Sequence, residues 1–504
     1  MAVSERWNRL REIVALCQEL NRAVALLSWD QQTYMPKGGI GARADCIARL
    51  ERLAHETLTA PEVGELLSAL EEETKGLPYE SDEASLVRVT RRAYDKAVKV
   101  PPSLVAAISK ETALGQAAWE EARAKSDFSL FEPHLTRIVE LQIEKAAALG
   151  YEGEPYDALL DLFEPEMKTA TVAALFDRLK GELVPLLRAI AERADAVDDS
   201  ILMQEYDPER QWAFTLEVVE ALGFDMTCGR QDRSAHPFTV GIAPTDVRIT
   251  TRVDPRNLAS ALYASIHEAG HGIYEQGLPA EHSDNFLSHA ISLGIHESQS
   301  RLWENVVGRS RAFWRHFLPR LKAHFPAQLE NVDVEAMYRA VNRVQYPSPI
   351  RVEADEVNYN LHIFLRFELE RALISRQLKV AELPTAWNEK SREYLGFTPK
   401  NDAEGVLQDI HWSAGLFGYF PTYSLGTILA VQLYNKAVAE RPEILTELEQ
   451  GVFVTLKEWM RDRIYRHGSR YTPNELIERA TGSPLDPQPY LAYIKNKFGE
   501  LYGL

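Results

Sequence analysis

The sequence predicts an all-α protein, one large helical body carrying a small β insertion near residues 237–253. Two observations point to helices. Apolar residues recur at three- and four-residue spacing, as in Leu10, Ile13, Val14, Cys17, Leu20, Val24 and Leu27. The interruptions are short Gly/Pro clusters, at 36–39, 76–78, 101–102, 347–349, 415–421 and 484–489, and none is long enough to act as a linker. A third observation places the insertion. In D-V-R-I-T-T-R-V the residues Val247, Ile249, Thr251 and Val253 alternate with polar ones, and F-T-V-G-I supplies a partner strand through Ala243, Pro244 and Thr245.

All 504 residues read as a single domain: an N-terminal helical half (1–235), the β insertion (236–253) and a second half (254–504). A net charge of −18 with no basic stripe repels phosphate backbones, so nucleic acid is excluded as a partner. Cys17, Cys46 and Cys228 are too few and too scattered for a disulfide framework, which suggests a reducing compartment. The amino terminus is charged throughout, unlike a secretory signal, and no apolar run reaches membrane-spanning length. The expectation is a cytoplasmic protein that does not contact the membrane.

Taken in order, the first helix runs from Trp7 to the break at 36–39. Trp29, Asp30 and Gln32 just before it read as buried structural groups. Val172, Leu175, Phe176, Leu179, Leu183 and Leu186 form an apolar stripe of core type. The β insertion admits two readings: a hairpin that props the helix after it, or an exposed edge that pairs with an extended peptide.

That next helix carries I-H-E-A-G-H-G-I-Y-E-Q-G. His267 and His271, four apart, lie on one helix face, where two neutral imidazoles can grip a divalent cation. Zinc is the usual occupant, and cobalt or manganese suit the same donors. Glu268 flanks the pair, placed to take a proton from water beside the cation. The helix stops at G-L-P, and Tyr274 and Gly277 stand where a metzincin needs Gly and His. Glu297, in the run F-L-S-H-A-I-S-L-G-I-H-E-S-Q-S-R-L-W-E, is the first choice of third ligand. His289, His296 and Glu304 are rivals that spacing does not separate from it.

Further motifs make the pattern specific: W-D-Q-Q-T-Y-M-P at 29–36, Y-D-A-L-L-D-L-F-E-P at 156–165, H-P-F at 236–238 and D-V-R-I-T at 246–250. I-R-V-E-A-D at 350–355, G-V-L-Q-D-I-H-W at 405–412 and G-Y-F-P-T-Y-S-L-G at 418–426 follow the H-E-A-G-H and H-E-S segments. In this order they resemble the carboxypeptidase Taq family of metallocarboxypeptidases over nearly the whole chain. The resemblance implies zinc held by His267, His271 and Glu297, with Glu268 as general acid/base. It also implies a helical fold with a deep groove, similar to neurolysin and angiotensin-converting enzyme, and a homodimer. Glu166 and Asn358 depart from the family's pattern, outside the ligand set.

Peptide hydrolysis needs a donor for the developing oxyanion. Tyr423 comes first and Tyr419 second, both read as lying on a Gly/Pro-rich loop, with His236 and His411 as further donors. An exopeptidase must also hold a terminal carboxylate, which suits a guanidinium. Arg351 is the first candidate and Arg248 the second, although Arg351 can instead pair with Glu353 or Asp355. Tyr359, His362, Arg366 and Glu370 follow at helical spacing as a supporting polar network. The expected activity is removal of C-terminal residues from peptides. An oligoendopeptidase or peptidyl-dipeptidase is the alternative, and a zinc-stabilised peptide-binding scaffold is a third reading.

Overall fold

The structure, a computed structural model, describes residues 3–504. Its N-terminal part is entirely helical. α1 (Val3–Thr33) packs on α2 (Ile40–Leu58) across the 36–39 break, and α3 (Pro61–Thr74), α4 (Asp82–Lys99), α5 (Pro102–Lys125) and α6 (Glu132–Leu149) follow. Proline at the first position starts α3 and α5, where the missing N–H costs nothing, and the Ser81 hydroxyl caps α4. α7 (Pro155–Leu160), α8 (Thr169–Ala191) and α9 (Pro208–Leu222) complete this part. On α8 the predicted stripe is buried at Val172, Phe176, Leu179 and Leu183, while Leu175 and Leu186 are half-buried.

The β structure is larger than its apolar pattern. Besides β2 (Thr239–Ala243) and β3 (Asp246–Thr251), which pair antiparallel, β1 (Gly229–Arg233) joins the far side of β3 in parallel, giving the order β1-β3-β2. The insertion therefore begins at 229, ahead of the expected boundary. β1 reads G-R-Q-D-R and has no apolar face. Its Gln231 and Asp232 are buried because they are hydrogen-bonded, to Thr215 and to Arg230 and Tyr34 respectively.

The second half is helical again. α10 (Leu258–Gly277) and α11 (Leu293–Arg301) are followed by α12 (Arg311–His324), α13 (Pro326–Leu329), α14 (Val334–Val341), α15 (Asn358–Ile374) and α16 (Leu383–Tyr394). α17 (Pro421–Glu440), α18 (Ile444–Gln450), α19 (Val454–Arg463), α20 (Pro473–Thr481) and α21 (Gln488–Tyr502) end the chain. Two large hydrophobic cores result. One gathers α5–α8, α15, α16 and α21; the other gathers α9, β3, α10, α12, α14 and α18–α20. α17 is the wall between them, with Leu425, Ile428 and Val431 in the first core and Leu429, Ala430 and Leu433 in the second. A helix buried on both sides is apolar on both faces, and over Leu425–Leu433 this one is, apart from Thr427 and Gln432. No described helix is long and apolar enough to cross a membrane.

Glu166 has a φ of +67°, in the left-handed region where a Cβ is strained. Its side chain is exposed, and its backbone N–H donates to Asp161 Oδ1 at 2.6 Å. Relief of that strain exceeds the entropy a glycine adds to the unfolded chain. Glu166→Gly should therefore raise the urea midpoint, by about 0.5 kcal/mol in stability, and Glu166→Val should lower it.

Candidate metal centre

α10 starts where Asn257 Oδ1 accepts the Ala259 and Ser260 N–H groups, and it ends at Gly277, just before Pro279. The sheet props it. Thr251 donates to Ala261 O at 3.2 Å, and Thr239 on β2 donates to Glu268 Oε2 at 2.6 Å. α11 begins at its Ser292 cap and runs into one π-helical stretch, Leu302–Val307. The two helices meet at a glycine. A Cβ on Gly270 would lie 2.6 Å from Ser300 Cα and 2.7 Å from Gln299 O. On the other side of α11, a Cβ on Gly426 of α17 would lie 2.6 Å from Glu297 Cβ. Glu297 is thus held between two helices, each of which needs a bare backbone at the contact.

The contact places Glu297 Oε2 at 3.6 Å from His267 Nε2 and 3.3 Å from His271 Nε2, with all three donors within 4.8 Å of one another. A tetrahedral cation with bonds of about 2.0 Å separates its ligands by about 3.3 Å, so this set fits a divalent ion. The outer partners fit as well. His267 Nδ1 meets Glu304 Oε2 at 2.8 Å, which leaves Nε2 facing inward. His271 Nδ1 meets His296 Nδ1 at 2.5 Å, and His296 Nε2 meets Glu275 Oε1 at 2.8 Å. Arg301 Nε holds the other oxygen of Glu297 at 2.6 Å and also reaches Glu304 at 3.1 Å. Among the rivals for third ligand, Glu304 and His296 stand behind the imidazoles, and His289 pairs with Gln18.

The electrostatics suit a cation. Burial drives His271 down to about 3 against the pull of Glu297, so its imidazole is neutral and can donate a lone pair. Burial also opposes a proton on His267, but Glu297 and Glu304 outweigh it and raise that group. The carboxylates that favour a proton there favour a metal ion equally. Burial raises Glu297 too, yet Arg301 and the two imidazoles overcome it and keep the carboxylate charged. Glu268, beside them, is pushed up mainly by burial.

Tyr419 and Tyr423 border the cluster, and the charge of Glu297 raises both hydroxyls further after burial has done so. Tyr423 is not on a loop: Pro421 starts α17, and Tyr423 lies in its first turn, three residues before Gly426. His411 Nε2 meets the Tyr423 hydroxyl at 3.1 Å, and its ring lies against Phe420.

Arg351 is buried and its fork is already engaged. Nε and Nη2 face Asp409 Oδ1 at 2.9 and 2.8 Å, and Nη1 donates to the Tyr359 hydroxyl at 2.9 Å. The expected partners are elsewhere. Glu353 is exposed, and Asp355 accepts the N–H groups of Val357 and Asn358. Asn358 fits that turn, with its amide donating to Gln345 O and Asp355 Oδ2. Arg366 shares Asp409, so two guanidinium groups compensate one carboxylate and a positive charge is left over.

The chain does not bring every candidate together. Arg248 spends both ends of its fork on Asp246 and lies 4.2 Å over the Trp29 ring, with no contact to the His–His–Glu cluster. His236 is exposed on the β1–β2 connection, and its imidazole has no polar partner among the described residues. Thr239, Arg301 and Asp409 are participants that the motifs did not single out.

A helical body with two imidazoles and a carboxylate converging beside a buried glutamate is the arrangement of a metallopeptidase. Residues 9–498 match the model of the carboxypeptidase Taq (M32) metallopeptidases, and the chain belongs to that family. Thermostable carboxypeptidase 1 of Thermus thermophilus is 45% identical over 95% of both chains, and carboxypeptidase 1 of Bacillus subtilis is 38% identical over 96% of both. The crystal structure of the M32 carboxypeptidase from Deinococcus radiodurans superposes with a TM-score of 0.96 at 40% identity, covering 99% of this chain and 100% of that one. The protein is accordingly a metallocarboxypeptidase, and a metal cofactor goes with its family.

Two substitutions test this geometry. Gly270→Ala should push α10 and α11 apart, costing about 1–3 kcal/mol in urea unfolding and weakening metal retention on dialysis. His296→Ala leaves His271 Nδ1 without its partner, and metal titration should show affinity lowered by about 10–100-fold with the fold retained.

Proposed function

We propose that the protein is a zinc carboxypeptidase that removes residues one at a time from the C-termini of peptides, with broad side-chain tolerance. The observation that carries this is the convergence of His267, His271 and Glu297 with Glu268 buried at their side. A zinc ion held there supplies Lewis acidity, polarising the scissile carbonyl and making water a better proton donor. Cobalt or manganese would serve with the same donors.

The chain's own residues do the rest. Glu268 accepts a proton from water and passes it to the leaving amine. Burial raises its carboxyl, so it can keep that proton between the two transfers, and Thr239 fixes one of its oxygens. Tyr423 donates to the oxyanion. Its partner His411 is kept neutral, at about 3, chiefly by burial and next by Arg351, and its buried Nδ1 has no partner. An orphaned lone pair is tolerated more readily than an orphaned N–H, so the ring proton belongs on Nε2. From there it donates to the Tyr423 oxygen and leaves the phenolic hydrogen for substrate.

The surplus charge of the Arg351–Asp409–Arg366 triad favours a terminal carboxylate on the Tyr359 and Tyr423 side, and Arg351 lies 5.1 Å from the Tyr423 ring centre. Anchoring therefore relies on this net charge rather than on an unpaired guanidinium. The edge of β2 beside Glu268 offers main-chain groups to an extended substrate. Homodimerisation and residence in the cytoplasm belong to the same reading.

Product analysis of one peptide, with a free and then an amidated C-terminus, separates carboxypeptidase from oligoendopeptidase. Free amino acids should appear from the free acid alone and vanish with chelator; internal cuts in the amide would overturn the reading. Glu268→Gln should retain zinc and lose about 10²–10⁴-fold in kcat, whereas His267→Ala should lose zinc and activity together, as measured by metal analysis and peptide turnover.

A further inference from the structure

Glu164 is a buried carboxyl group on the turn after α7, far in sequence from the metal ligands and outside the chemistry described above. It accepts the Gly294 N–H at the start of α11, and the Ser292 side chain hydrogen-bonds to it as well. Its neighbour Phe163 accepts the Leu293 N–H at 3.1 Å, so two consecutive residues of the turn clamp two consecutive residues of the helix start. An acceptor oxygen at this end of a helix satisfies an amide that has no partner within the helix. Glu297 lies three residues beyond Gly294, within the next turn of the same helix.

The fit is close. A Cβ on Gly294 would lie 2.8 and 3.0 Å from the two Glu164 oxygens and 3.1 Å from its Cδ. An apolar residue would fill the site without the desolvation cost that lifts this carboxyl to about 8. Packing alone does not explain a polar carboxyl group here.

We propose that Glu164 is a positioning residue for the metal centre: by holding the Gly294 N–H it fixes the first turn of α11 and so the point at which Glu297 meets the two imidazoles. The inference rests on the reading of Glu297 as a metal ligand.

The test uses the full-length, zinc-loaded protein and follows zinc release to a chromophoric chelator, with thermal midpoints recorded alongside. Glu164→Ala should release zinc about tenfold faster or more. Glu164→Gln keeps an acceptor oxygen for Gly294 and should stay within about twofold of the parent. Gly294→Ala pushes a methyl into the Glu164 carboxyl and should also speed release. Adding Glu164→Ala to Gly294→Ala should speed it no further, because the same contact is already lost. Parental release from Glu164→Ala, or equal release from the Gln and Ala variants, would overturn the proposal. If Glu164→Ala does not fold, the Gln variant and Gly294→Ala carry the same contrast. His271→Ala is the control for the ligand reading: if it still holds one zinc as tightly as the parent, the ligand assignment fails, whatever the Glu164 variants do.

Discussion

The site depends on one steric constraint: a carboxylate has to reach two imidazoles from a different helix while being packed from behind by a third. Helix axes normally stand 8–10 Å apart, with side chains filling the space between. Here Gly270 removes the side chain on the α10 side of α11, and Gly426 removes it on the α17 side. Glu297 takes the room that is left. The middle of H-E-A-G-H is therefore as much a part of the site as its ends.

A buried charge cluster is costly unless each member is compensated, and this one alternates in sign. Glu297 meets Arg301, Arg301 meets Glu304, and Glu304 meets His267 on one side and Arg309 at 3.4 Å on the other. Arg301 also lies 4.1 Å over the Tyr359 ring, which ties this chain to the Arg351 triad. Glu275 behind His296 adds a third carboxylate to Glu297 and Glu304 against the two arginines, and a divalent cation offsets that excess. Beyond Tyr359, the Arg351 triad carries an excess of positive charge. The two regions thus favour opposite ligands on either side of Tyr359.

Much of this was legible in the sequence because it is local. His267, Glu268 and His271 share a helix, and helical spacing alone orients them. Glu297, Arg301 and Glu304 also follow at helical spacing, a signal that would have recovered Arg301 had the run been read as one face. Other features were hidden for definite reasons. β1 has no apolar alternation, since hydrogen bonds rather than greasy side chains bury it. Tyr423 read as a loop residue because Gly and Pro surround it, although Pro421 is a helix start. The partner of Arg351 lies at position 409, far along the chain, while acidic residues two and four positions away look equally suitable on paper. Pairing across that distance is a property of the fold and leaves no local trace.

α17 has a consequence for how the protein is made. Because this helix furnishes side chains to both large cores, neither can close until residues 421–440 have left the ribosome. α1, α3 and α4 close a small core of their own, but the helices from α5 onward must wait, their apolar faces partly uncovered, through most of translation. Nascent chains truncated anywhere before residue 421 would carry both large cores open, as clients for chaperones.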